Sequence, residues 1–155
     1  MKIIVATDGT RQGEGAIAAL KKFTLDHQDE VKVICVVDMS VPIGVDVYGG
    51  FLPDTAGLEN AARENAQRIL DASIGAINGM SANEGAAVGG ELLFGSPDSR
   101  IVEAAENFGA DLVIVGSHGY NRWERLLLGS VSDSVVHHAP CSVLVVRTRD
   151  EEKKK

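Results

Sequence analysis

Toward its C-terminal end the chain reads Gly116-Ser117-His118-Gly119, then nine residues, then Gly129-Ser130. Two glycines three apart, and a third followed by a hydroxyl, are residue types suited to holding phosphate. Glycine lets a backbone come close to a polyanion, and the first N–H groups of a helix have no partner within it. The flanking residues are consistent with that chemistry. The apolar run Leu112-Val113-Ile114-Val115 predicts a buried strand before the glycines. Ser130-Val131-Ser132-Asp133 predicts a helix start after them, with Ser130 as the cap and Asp133 in capping-box position. His118 is a possible phosphate donor, although an exposed loop histidine needs no function. Arg122 and Arg125 are within reach of terminal phosphates on one reading. On the other they are solvated, with Trp123 packed between them.

A second set of candidates closes the first apolar run, at Thr7-Asp8-Gly9-Thr10. In open α/β sheets, ligands bind beyond the carboxyl ends of the strands, where strand order reverses. If the first and fourth strands are neighbours there, Asp8 and Gly116 flank one crevice. A carboxylate in that place can accept hydrogen bonds from a ribose or hold the water shell of a metal. The competing reading is an aspartate that merely shapes a turn or caps a helix.

The remaining reactive residue types point to little. Cys35 and Cys141 fall in or beside apolar runs, as buried reduced thiols do. His137 and His138 sit where a helix should end, where a cation is favoured electrostatically. Being adjacent, they point in different directions and make no metal face. Known site patterns are missing. There is no G-x-x-x-x-G-K-[ST], and Gly9, Gly13 and Gly15 do not form G-x-G-x-x-G. No nucleophile elbow appears. The paired acids and the lysine of a response-regulator receiver are also lacking.

These residues must be carried by a single domain. The chain has 155 residues, enough for one core, and a net charge of −7, which disfavours a non-specific nucleic-acid binder. No apolar stretch approaches membrane-span length, and the chain starts directly with a strand-like run, so no membrane partner and a cytoplasmic location are expected. A domain over 1–148 is expected, followed by a charged, disordered tail over 149–155.

Apolar runs predict strands over 2–7, 31–37, 86–94, 112–115 and 142–147. Three are continuous rather than alternating, which suits strands buried on both faces of a parallel sheet. The run holding Gly89 and Gly90 is the weakest of them. Between the strands, Ala16, Ala19, Leu20 and Phe23 recur at helical spacing, as do residues from Leu58 to about Ile77. Ser96-Pro97 opens a third helix, which Gly109 ends. A fourth starts at Ser130 and stops before Pro140. The alternation predicts an α/β fold with right-handed crossovers. The long connection from Asp38 to about Thr55 reads equally as a lid or as a variable surface excursion.

With these elements in place, the chain resembles the universal stress protein family over nearly its whole length. The likeness rests on Ile3-Ile4-Val5-Ala6-Thr7-Asp8-Gly9-Thr10, on Val36-Val37-Asp38, on Ala110 to Gly119, on Leu128 to Ser132 and on Ala139 to Arg147. The spacing G-x-x-G, nine residues, G-[ST] marks the family's ATP-binding branch.

The resemblance implies one open five-stranded parallel sheet of order 3-2-1-4-5 with helices on both faces, Rossmann-like and similar to adenine nucleotide alpha hydrolases. It implies ATP or another adenine nucleotide, with Mg or Mn. Thr7 and Asp8 would lie at the ribose or at the metal's waters, and the metal would have no direct protein ligand. Val37 backbone groups would meet the adenine edge. Gly116, His118 and Gly119 would wrap the phosphates, and Gly129, Ser130, Val131 and Ser132 would complete the cradle. A homodimer through the last strand, Val143 to Val146, is implied too, and the apolar character of that edge supports it independently.

Three functions follow. The first is an adenine-nucleotide-binding protein of stress response or signalling with a downstream partner of unknown identity. The second, motivated by His118, Arg122 and Arg125, is a slow ATPase or nucleotidyl-transfer enzyme. The third is a dimeric scaffold independent of nucleotide.

Overall fold

The computed structural model describes residues 1–38, 55–117 and 128–148. The expectations placed on the 38–55 connection, on His118, Gly119, Arg122, Trp123 and Arg125, and on the 149–155 tail therefore fall largely or wholly outside the described residues. Elements run in the order β1 (Lys2–Ala6), α1 (Arg11–Ala19) with a 3-10 turn at Leu20–Lys22, β2 (Leu25–Asp26), β3 (Glu30–Val37), α2 (Thr55–Asn78), β4 (Asn83–Glu84), β5 (Ala87–Phe94), α3 (Pro97–Phe108), β6 (Leu112–Gly116), α4 (Ser130–His138) and β7 (Ser142–Val146).

Five strands form one sheet in the order β5-β3-β1-β6-β7, with every neighbouring pair parallel. Counted along the chain, this is the 3-2-1-4-5 order the resemblance implied. The reversal lies between β3 and β6, on either side of β1. The register runs from Lys2 opposite Glu30 to Ala6 opposite Ile34, and from Ile3 opposite Leu112 to Val5 opposite Ile114.

Each central strand is apolar on both faces because each face has its own helix layer. Ile3 and Val5 join Val33, Cys35, Ile17 and Leu70 under α1 and α2. Ile4 points the other way and joins Ile34, Ile101, Val113 and Val135 under α3 and α4. The two-residue alternation of side chains produces this split, and a continuous apolar run is its sequence signature.

Gly90, which weakened the prediction of β5, has a packing reason. A Cβ there would come within 2.6 Å of Ile74 Cδ1, so its absence lets α2 sit down on the sheet. Gly109 ends α3 with φ 65° as expected. The two-residue pair β2·β4 was not foreseen, being too short to show a period.

One start signal shifts by a residue. Gly129, not Ser130, is the N-cap of α4, and no side chain caps it. Gly129 is held there by its own N–H, which donates to Ser117 O at 2.7 Å.

Candidate functional site

The central strands β3, β1 and β6 end together at the carboxyl side of the sheet. There a crevice of about 140 Å³ opens, lined by Thr7, Asp8, Gly13, Gly116, Val131 and Pro97 at its rim and by Ala6, Ile34, Val36, Ile101 and Val115. The structure thus brings Asp8 and Gly116 to one crevice, through the direct pairing of β1 with β6.

Asp8 belongs to both of its competing readings. Its Oδ1 accepts from the Thr10 N–H at 3.0 Å and the Thr10 hydroxyl at 2.6 Å, a turn-shaping contact. The turn also fixes the carboxylate at the crevice edge, half-buried. Thr10 in turn is the N-cap of α1 and accepts from Gly13 N. Thr7 is buried. Its N–H donates to Ile34 O at 2.9 Å, and its hydroxyl oxygen accepts from Gly9 N at 3.3 Å.

Two glycines let α1 approach so closely. A Cβ at Gly13 would lie 2.6 Å from Thr7 Oγ1 and 2.8 Å from Asp8 Oδ1. A Cβ at Gly116 would lie 2.8 Å from Gln12 O. Gly116 was singled out for closeness to phosphate. The contact on which the structure spends its missing side chain is the first turn of α1.

The backbone of β3 assigns its groups differently from the expectation at Val37. Val37 O accepts from Gly95 N at 3.1 Å, so Val37 faces the β5 side. Ile34 O, by contrast, accepts from Thr7 N on the β1 side. In a strand, alternate residues direct their backbone groups to opposite neighbours. Val36 therefore shares the direction of Ile34 and faces the space beyond the end of β1. It is also Val36, not Val37, that lines the crevice.

On the far wall, α4 presents its first turn. Its first intrahelical bond is Asp133 N to Gly129 O at 2.9 Å, so the N–H groups of Ser130, Val131 and Ser132 precede the ladder. Ser130 is exposed and Val131 lines the crevice. Ser132 is 2% exposed, and its hydroxyl donates to Ser117 O at 3.1 Å and Gly129 O at 3.0 Å. Its side chain ties together the two ends of the 118–127 segment. That leaves its N–H, not its hydroxyl, to face a ligand.

The third helix joins the same wall. Asp98 accepts from the Ser96 hydroxyl at 2.5 Å and from Ser134 on α4 at 3.0 Å. These hydroxyls, with the Ser99 N–H, hold its carboxyl below the usual range.

Cys35 is free and buried, and burial, helped by the charge of Asp8, pushes its thiol up to about 11. It stays protonated at neutral pH and is a packing residue. Cys141 is also free, and burial raises its thiol in the same direction. His137 and His138 each place Nδ1 2.8 Å from a carbonyl one turn back, Asp133 O and Ser134 O, and serve the end of α4. Among the described residues no three His, Cys, Asp or Glu side chains converge on a point where a metal ion could sit. None of their helices is long and apolar enough to cross a membrane.

A doubly wound parallel sheet with a crevice at its switch point defines an open α/β protein, a class in which ligands generally bind at the carboxyl edge of the sheet. Comparison with known proteins narrows the class. Residues 1–147 match the universal stress protein family, and the chain belongs to it. A universal stress protein of Methanocaldococcus jannaschii is 32% identical over 151 residues, spanning 97% of this chain and 84% of the relative.

Among solved structures, hypothetical protein MJ0577 superposes with a TM-score of 0.78 at 28% identity, covering 97% of each chain. A universal stress protein in complex with cAMP shares the fold at TM-score 0.64 and 21% identity, over 96% of this chain and 98% of that one. An Arabidopsis thaliana family member with AMP bound shares it at 0.67 and 17%, over 97% and 94%.

Proposed function

We propose that this chain binds an adenine nucleotide in the switch-point crevice and works as a nucleotide-responsive stress or signalling protein. The observation that carries the reading is the convergence of three unlike surfaces on one small space. An apolar slot runs between Val36, Ile101 and Val115, a fixed carboxylate stands at Asp8, and the first turn of α4 opens opposite. A flat base fits the slot, with the backbone of Val36 along its edge. Ribose hydroxyls would donate to Asp8. Phosphates suit the N–H groups of Ser130, Val131 and Ser132, where the helix dipole favours negative charge. Occurrence of the fold with cAMP and with AMP in other proteins supports the adenine class.

ATP is the form the glycine spacing favours. A divalent ion, Mg or Mn, would arrive with it, bound mainly by the phosphates, because Asp8 is the only carboxylate lining the crevice among the described residues. Asp8 would then hold the ion's water and not the ion.

We infer pairing of two copies through β7. Among the described residues it pairs with β6 on one side alone, and Val143 to Val146 are half-buried at the sheet edge. Calorimetric titration with ATP–Mg, AMP and cyclic nucleotides tests the binding. A saturable heat is expected, and no heat at millimolar ligand would reject it.

A further inference from the structure

Beside the crevice, the start of α1 is joined to the end of β7 through Gln12 and Thr148. Gln12, in the first turn of α1, accepts through Oε1 from Thr148 N at 3.3 Å and from the Thr148 hydroxyl, across 136 positions of sequence. Thr148 follows the edge strand β7 and is half-buried. The contact admits no slack on either side. A Cβ on Gly15 would overlap the Thr148 methyl, and a Cβ on Gly116 would press on Gln12 O. One residue further, Ser117 N donates to Val146 O at 2.9 Å. The end of β7 thus holds both the first turn of α1 and the start of the segment that leaves β6.

We propose that Gln12 and Thr148 form a latch that positions Gly116 and Ser117 for the phosphates of the bound nucleotide. The proposal rests on the nucleotide reading above. Gln12 is a positioning residue, since its side chain binds Thr148 and its backbone braces Gly116. It acts at one end of the ligand only. The base slot is framed by Val36, Ile101 and Val115, none of which contacts Gln12 or Thr148 in the latch, whereas Gly116-Ser117 leads into the phosphate side.

That asymmetry supplies the test. Gln12→Ala removes both bonds of the latch and Thr148→Val removes the hydroxyl bond, the valine keeping the methyl that fits against Gly15. Each should weaken ATP–Mg about tenfold while adenosine changes less than twofold. The double variant should be no weaker than Gln12→Ala alone, because that change already removes both bonds. Thr148→Ser, which keeps the donor, should restore ATP affinity.

Equal losses for ATP and adenosine would show a general structural role and overturn the proposal. So would unchanged ATP affinity or additive single effects. If the unaltered protein binds neither ligand, it is the nucleotide reading that fails. The latch is then judged by amide exchange in the ligand-free protein. Faster exchange at Gly116 and Ser117 in Gln12→Ala, with β3 unchanged, supports it, and unchanged exchange at both overturns it.

Discussion

The two ends of the sheet use polar residues in opposite ways. At the amino ends of the strands, charges are dense and answer one another. Lys32 pairs with Glu91 at 3.2 Å, and the N-terminal ammonium with Asp29 at 2.6 Å. Lys2 and Lys32 lie 5.0 and 4.7 Å from the centre of the Phe108 ring. Lys2, Lys32, Glu91 and Phe108 line a depression of about 400 Å³, larger than the crevice of about 140 Å³. At the carboxyl ends, the crevice holds one carboxylate, two close-packed glycines and a helix start. The comparison teaches that size alone is a poor guide to function. The larger hollow is lined by charges that pair with one another, as Lys32 does with Glu91, while the smaller one gathers a carboxylate and a helix start.

Substitutions at the two ends should separate these roles. The largest effect is expected from Gly116→Val. Its side chain meets the backbone of Gln12, so it should cost about 1–3 kcal/mol of stability and abolish nucleotide binding, read by denaturant melts and calorimetry. Asp8→Asn comes next. Losing a charged acceptor should weaken ATP about tenfold or more, with adenosine affected as strongly as ATP because both carry the ribose. A larger loss for ATP would move Asp8 from the sugar to the metal's water.

At the edge, Val145→Pro should yield monomers in sedimentation. Val146 O faces β6, so the N–H of Val145 faces outward, where proline removes a donor without touching the β6 ladder. Circular dichroism checks that the variant folds, and a folded dimer would place the interface elsewhere.

Glu91→Gln, at the opposite end, should change stability by about 1 kcal/mol or less and leave nucleotide affinity alone. A marked loss of binding there would erase the distinction between the ends.

The smallest effect concerns pH. The Asp98 carboxyl lies below its ordinary 3.8, held first by the Ser96 hydroxyl. A lowered folded value means that its contribution is complete above the unfolded value and is lost as pH falls through the folded one. Urea midpoints of the protein and of Asp98→Asn should therefore converge as the medium is acidified below about pH 4.

The strands were legible because burial on both faces writes itself as unbroken apolar runs, as at Leu112 to Val115 and Ser142 to Val146. The sheet order followed from the family resemblance. The finer site was less legible. Val36 and Val37 are the same residue type, and only the pairing of Ile34 with Thr7 and of Val37 with Gly95 tells which one faces the crevice. A two-residue count forward from Ile34 identifies Val36. Ser130 has the better capping side chain, yet Gly129 takes the cap because a long-range bond to Ser117 holds it there. The partnership of Gln12 with Thr148 leaves no local pattern at all. Glycines 13, 15 and 116 were visible, but their use in seating α1 depends on which elements cross there.

The central claim is that ligand chemistry belongs to the carboxyl ends of the strands. Backbone amide shifts recorded while ATP–Mg is titrated into the protein test it most directly. The account predicts saturable changes at Val36, Asp8, Gly116 and Ser130 to Ser132, with the amides around Lys2, Lys32 and Phe108 unmoved. Changes centred on Phe108 and its lysines, or none at the crevice at saturating ligand, would contradict it.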